Sequence, residues 1–324
     1  MKHPYLIDLN NAENWINPQA LYRDDGSLDE EMRTINMPEG PHRLFAVTDS
    51  VLHRVGEGEI NPFHVHLEGW EYFYVSTGKG FELFIDSKST HVGPGNFIFF
   101  QPYQAHGVRL LGPTRNIGFF HDLRNIDHIL ARVLLKEKRP EHVNLPDYKW
   151  RFLGSQHDEQ RREIFDYTKV PVEEVRAVRN IDRPMDEFNF EGVSMRMITA
   201  RYENGGVNEL WGAVMEPGFY VEWEEYPNDD EMFLVTEGEV RFKVYDDEFV
   251  AYPECFVRIP RFAHHSITAL TKAVVYDIGG LTHWQAFLQD RSAVKRDPAR
   301  ADKPEIMEEL KKKYRCQIKC IGKK

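Results

Sequence analysis

Gly58-Glu-Ile-Asn-Pro-Phe63-His64-Val-His66-Leu-Glu68-Gly-Trp70-Glu71 is the stretch whose reading decides the fold. The residues after it read as strand: Tyr72-Phe-Tyr-Val75 is aromatic and β-branched, Gly78-Lys-Gly80 punctuates it, and Phe81-Glu-Leu-Phe-Ile85 resumes. The whole is a hairpin. Side chains two apart on a strand share a face, so His64 and His66 present both imidazoles to one side while Phe63, Val65 and Leu67 take the other. Glu71 stands on the partner strand in phase with Phe73 and Val75. Two neutral imidazoles and a carboxylate converging from neighbouring strands form a site of the two-His-one-carboxylate type, which leaves coordination positions open.

A fourth candidate is His106. It comes after a second strand signal, Phe97-Ile-Phe-Phe100, opened by Gly93-Pro-Gly95 and closed by Gln101-Pro102-Tyr103, and it begins another strand with Val108 and Leu110. The spacing now resembles the cupin superfamily. Its first motif is met by Gly58, His64, His66, Glu71 and Gly78, and its second by Gly95 and His106. One departure occurs: Pro102 sits one place late, and Gln104 stands where that motif has a Gly. The resemblance implies a small antiparallel jelly-roll barrel with a metal held inside by His64, His66, Glu71 and His106.

A chain of 324 residues suits two domains of moderate size, each with its own core. A net charge of −11 and no Lys/Arg-rich stripe argue against nucleic acid or an anionic membrane as partner. No secretory signal or membrane-length apolar run is present, so a soluble, cytoplasmic protein is expected. The three cysteines, Cys255, Cys316 and Cys320, do not form a disulfide framework.

Residues 1–40 are polar and broken by Asn, Pro and Asp-Gly, and read as an extended arm that packs on a neighbour. Residues 41–137 read as a first barrel, ending in a helix over Asp127–Lys136. Residues 138–187 form a linker with a short helix at Glu159–Asp166. From Phe188 strand patterning returns, and with it an internal repeat. Gly218, Glu224, Tyr226, Glu231, Phe233, Val235 and Gly238 each lie 160 positions after Gly58, His64, His66, Glu71, Phe73, Val75 and Gly78. One deletion then sets His265 against His106. Residues 188–282 are therefore a second, degenerate barrel, the chain resembles a bicupin, and the fold class is mainly β with tandem jelly-roll barrels and a few short helices. Both motif histidines are replaced in the copy, leaving Glu224, Glu231 and His265 as a possible second site for a hard ion such as Mn or Mg, although a metal-free copy is the preferred reading. If several of the acidic residues around Glu222 face one cavity, at least one pKa there should rise. Residues 283–324 form a helical tail, with helices at His283–Gln289 and Pro304–Tyr314.

Open coordination positions imply chemistry, since structural zinc sites are closed and rich in Cys. The expectation is one divalent ion in the N-terminal barrel: Fe preferred, with Mn, Ni, Zn and Cu also compatible. Phe73, Phe84, Phe99 and Phe119 would line an aromatic pocket for a small-molecule substrate, with Gln101, Glu68 or His121 hydrogen-bonding it. On this reading the protein is an Fe(II) dioxygenase of an aromatic or enolic substrate. Two alternatives stand beside it: a Mn-, Zn- or Ni-dependent isomerase, decarboxylase or lyase acting on a small organic acid or sugar derivative, and a non-catalytic small-molecule-binding bicupin. A homodimer is expected.

Overall fold

The computed structural model describes residues 3–11, 16–22, 28–36, 45–52, 63–66, 70–85, 88–121, 150–154, 177–203, 209–225, 231–278, 284–301, 303–314 and 317–323. The chain divides into two compact units, Trp15–Asn180 and Ile181–Lys324, the second completed by Met1–Asn14.

Strand β1 (Leu6–Asp8) belongs to the second unit. The first unit holds β2 (Ile16–Tyr22), β3 (Leu28–Asn36), β4 (Phe45–Leu52), β5 (Phe63–His66), β6 (Trp70–Gly78), β7 (Phe81–Ile85), β8 (Lys88–Val92), β9 (Asn96–Phe100), β10 (His106–Leu110), β11 (Thr114–His121), β12 (Trp150–Gly154) and β13 (Val178–Asn180). They form a seven-stranded sheet, β13-β9-β6-β11-β4-β3-β2, and a five-stranded sheet, β12-β5-β10-β7-β8. The second unit adds β14 (Asp186–Phe190), β15 (Val193–Thr199), β16 (Leu210–Met215), β17 (Phe219–Glu225), β18 (Glu231–Glu237), β19 (Val240–Val244), β20 (Asp247–Ala251), β21 (Cys255–Ile259), β22 (His265–Ala269), β23 (Ala273–Asp277) and β24 (Gln317–Lys323). Its sheets run β1-β21-β18-β23-β16-β15-β14 and β20-β19-β22-β17-β24. Strand for strand, one unit repeats the other, and each is a jelly-roll barrel of two antiparallel sheets.

Alternation decides what goes inside. In β19, Val240, Phe242 and Val244 are buried while Arg241 and Lys243 are exposed. In the first unit Val75, Phe81, Leu83, Ile85, Val92, Ile98 and Phe100 form one core cluster, with Phe73 and Val108 packed against it. In the second, Phe219, Val221, Trp223, Phe233, Val235, Phe242 and Val275 belong to a larger one. The motif glycines have a steric reason. Gly78 and Gly238 lie at φ 103° and 74°, and a Cβ on either would come within 2.2 Å of a backbone oxygen, of Pro113 and Lys272 respectively.

Much of the segment read as an N-terminal arm is strand. β2 and β3 pair with one another and β3 pairs with β4, extending the first barrel's sheet. Their composition hides the strand signal, since both set polar or charged residues among their apolar ones. The linker likewise supplies two strands, since β12 pairs with β5 and β13 with β9. In the tail, helices α1 (Trp284–Lys295) and α2 (Pro304–Tyr314) form where helical spacing places them, α1 running further than expected. The expected helices at 127–136 and 159–166 lie outside the described residues. Among the described residues, no helix is long and apolar enough to cross a membrane.

The edge strands are exchanged. β1 precedes the first barrel in sequence but pairs with β21 of the second, Leu6 opposite Val257; β13 precedes the second barrel but pairs with β9 of the first, Val178 opposite Ile98. Each barrel's outer sheet is therefore closed by chain that lies upstream of the other barrel, which covers an otherwise open edge. Leu9, fully buried, anchors β1, and its N–H donates to the Glu254 carbonyl at 3.0 Å.

The outer surface of the second barrel carries an ion cluster that holds β24. Glu222 accepts from Tyr220 Oη at 2.6 Å and from Lys319 Nζ at 3.0 Å, and its Oε1 lies 3.1 Å from His264 Nε2. The Tyr220 hydroxyl, ahead of Lys319 and His264, lowers the Glu222 carboxyl to about 2. The expected rise in this acidic stretch is thus not found at Glu222, whose donors stabilise the ionised form.

Two outcomes are expected. Leu9→Ala should destabilise the C-terminal unit by about 2–5 kcal/mol, read as faster hydrogen exchange along β21 and an earlier urea transition, although the mutation lies at the opposite end of the chain. Because the folded-state pKa of Glu222 lies below its unfolded value, its contribution is full above about pH 4.5 and is lost as pH falls toward 2. Urea titrations of wild type and Glu222→Gln across that range should diverge by on the order of 2–3 kcal/mol at the upper end and converge at the lower.

Candidate metal centre

The first barrel brings two predicted ligands together across its interior. Glu71 sits on β6 in the seven-stranded sheet, directly opposite Phe100 of β9; His106 opens β10 in the five-stranded sheet, directly opposite His64 of β5. Both Glu71 and His106 are buried, at 1% and 3% exposure. Their approaching atoms, Glu71 Oε2 and His106 Nε2, lie 3.6 Å apart. That is too long for a hydrogen bond but is a gap that two metal–ligand bonds of about 2.1 Å can span.

The imidazole is oriented for coordination. His106 Nδ1 is 2.9 Å from the Gln104 carbonyl oxygen, so Nδ1 carries a proton and donates, and Nε2 is the ring nitrogen that faces Glu71. Phe100, also buried, lies flat on the ring, with centroids 3.7 Å apart and planes at 9°. Gln104 replaces the motif glycine here, yet the turn still forms: its N–H donates to the Gln101 carbonyl at 3.1 Å, and Tyr103 adopts the left-handed φ of 64°. His64 and His66 occupy β5 with His66 opposite Trp150, while their side chains lie outside the described residues. Among the described residues no group of three His, Cys, Asp or Glu side chains could hold an ion. Two of the four predicted ligands are thus placed by side chain, and two by strand position.

The expected pocket needs correction. Phe73 shares the face of Glu71 and packs on the interior cluster. Phe84 alternates with the interior residues Leu83 and Ile85, and Phe99 with Ile98 and Phe100, so both turn to the outer face, where Phe99 packs on Tyr72 at 4.7 Å. A run such as Phe97-Ile-Phe-Phe100 has apolar residues on both faces because its strand is covered on both sides, and hydrophobicity alone cannot say which are inside. Gln101 is exposed in the turn before His106. Glu68 and the side chains of Phe119 and His121 lie outside the described residues. Phe100 is not singled out by sequence, because its contact with His106 requires knowing how the sheet that holds β9 closes on the sheet that holds β10.

In the second barrel the carboxylate and the imidazole persist but their neighbour differs. Glu231 and His265 are buried at 0% and 1% exposure, and His265 Nδ1 is again 2.9 Å from a carbonyl oxygen, that of Ala263. Burial pushes its pKa down to about 3, so the ring is neutral. The ungapped alignment sets Glu224 at the place of His64, whereas the strand register puts Trp223 opposite His265. The indole is buried and stacks on His265, with centroids 4.5 Å apart and planes at 14°. The side chain of Glu224 lies outside the described residues. Around Trp223 the walls are Met195, Trp211, Phe219, Phe233 and Asp277, and they leave a cavity of about 10 Å³, scarcely room for one water.

A family model described as the cupin domain matches residues 51–117. The match lies within the first barrel. The match spans His64, His66, Glu71 and His106, and the second unit repeats the topology of the first. Among curated protein sequences, nothing matches this chain. Among solved structures the chain is similar to the Mn(II)-containing oxalate decarboxylase of Bacillus subtilis, at 16% identity and a TM-score of 0.51 over 96% of this chain and 87% of that one. It also resembles the oxalate decarboxylase of Lactobacillus farciminis in its formate complex, at 14% identity and a TM-score of 0.52 over 95% and 96% of the two chains. A third oxalate decarboxylase structure, concerned with substrate binding and a switch of reaction specificity, covers 100% of this chain and 90% of its own, at 16% identity and a TM-score of 0.52. At these identities the likeness is one of fold.

Proposed function

We propose that this bicupin is a metal-dependent enzyme in which His64, His66, Glu71 and His106 hold one divalent ion per chain, Mn foremost, for decarboxylase, lyase or isomerase chemistry on a small organic acid or sugar derivative. The observation that carries the reading is the buried Glu71–His106 pair at 3.6 Å, with His64 in register beside it. The donor set is nitrogen and oxygen, which suits Mn(II) as well as Fe(II), Ni(II) or Zn(II). When bound, the ion would supply Lewis-acid polarisation of a chelated carboxylate or carbonyl.

The chain's own groups define the rest. The Gln104 carbonyl keeps the proton on His106 Nδ1, so Nε2 remains a donor of electrons. Phe73, Phe100 and Val108 make the surrounding wall apolar, which excludes water and strengthens electrostatic interactions inside. The alternative of an Fe(II) dioxygenase rests on a wide aromatic lining, and Phe84 and Phe99 do not contribute to it. The likeness to Mn(II)-containing decarboxylases also favours the non-oxidative reading. The second barrel, with Trp223 beside His265, serves in this proposal as a metal-free partner.

Metal analysis after loading with Mn(II) should give one ion per chain. His66→Ala should weaken retention by more than about 100-fold, the upper range for loss of a supporting contact, with the circular dichroism spectrum and melting transition little changed. Glu231→Gln should leave both ion content and turnover near wild type. Release of CO2 from oxalate and related short carboxylic acids, set against O2 uptake with catechol or β-diketone substrates, separates the two chemistries. Two ions per chain, or full retention by His66→Ala, would overturn the assignment.

A further inference from the structure

We propose that Phe100 is the positioning residue of this centre, holding His106 and Glu71 in mutual register so that β5 is left free to present a second imidazole. The proposal rests on the assignment of Glu71 and His106 as ligands and goes beyond it. Phe100 is 1% exposed and contacts the site in two directions. Along the sheet it is the cross-strand partner of Glu71, where directly opposed side chains have Cβ atoms about 5 Å apart. Across the interior its ring covers the His106 imidazole at 3.7 Å and 9°.

An imidazole turns about two bonds, and two contacts are needed to fix it. The Gln104 carbonyl, 2.9 Å from Nδ1, sets the direction in which the ring points. The Phe100 face sets the plane in which it lies. Together they aim Nε2 at the Glu71 carboxylate, and they do so before any ion arrives, which is what preorganisation of a coordination site requires.

The second barrel shows the same requirement met differently. There the residue opposite the carboxylate Glu231 is Ile259, which has no ring to offer. The face that covers His265 comes instead from Trp223 on β17, at 4.5 Å and 14°. Trp223 pairs with His265 as His64 pairs with His106, so the covering ring stands where a ligand would stand. Both barrels hold a buried histidine under an aromatic face. Supplying that face from the carboxylate's neighbour leaves the strand position beside the histidine available for coordination, and supplying it from that strand position fills it.

The test uses the full chain and Co(II) alone as probe, because its visible absorption reports coordination geometry. Four variants are compared by titration: Phe100→Ile, which copies the second barrel; Phe100→Leu, a milder truncation should the first fail to fold; Phe99→Leu, which removes a similarly buried ring from the outer face of the same strand; and His106→Ala. The expected result is a loss of Co(II) affinity of about 10–100-fold and an altered spectrum for Phe100→Ile and Phe100→Leu, with Phe99→Leu like wild type in both. Unchanged affinity and spectrum in both Phe100 variants would overturn the positioning role, as would an equal loss in Phe99→Leu, which would mark a general effect of core damage. His106→Ala separates the two levels: retention of Co(II) there overturns the ligand assignment and this inference together, whereas loss there with no effect at Phe100 overturns this inference alone.

Discussion

A carboxylate and an imidazole buried 3.6 Å apart inside an apolar barrel set the terms for this protein. Burying such groups is costly unless they are paired, hydrogen-bonded or bound to a metal. Glu71 and His106 come from opposite sheets, so they meet only if both sheets close with the right register. The Gln104 carbonyl and the Phe100 face then restrict the imidazole to one tautomer and one plane. Barrel closure, ligand geometry and the apolar surround are thus aspects of one arrangement.

Duplication supplied two copies of this frame, and they diverge at the strand beside the histidine. The sheets correspond strand for strand, and the carboxylate, the buried histidine and its carbonyl partner recur in both. The difference lies in which strand provides the ring over the imidazole. In the second barrel the indole of Trp223 does so, His265 is held neutral by burial, and apolar side chains fill the interior. The exchanged edges make each copy depend on chain from beyond its own stretch, since β1 completes the second barrel and β13 the first. Composition shifts therefore misplace the boundaries near residues 40 and 188.

The spacing of Gly58, His64, His66, Glu71, Gly78 and His106 resembles the cupin motifs, and that resemblance implied the fold class and the candidate ligands, while period-two alternation and glycine turns, which are local properties, placed the strands. The repeat came from the same logic, and so did α2, whose acidic start and basic end suit the helix dipole. Three things lay beyond that reach. Phe84 and Phe99 are buried although they alternate with the residues of the core cluster, so only the packed barrel shows which side is inside. β2 and β3 have polar or charged residues among their apolar ones, so they become strands by pairing, β3 with β4 and β2 with β3, and not by their own pattern. And the presence of Trp223, in place of the expected Glu224, opposite His265 is a one-residue offset in register, which in a sheet exchanges every side chain between core and surface. Residue spacing carries the local periodicity of a strand; the partner each strand faces is a long-range property, and it exists only once the two sheets have closed on each other.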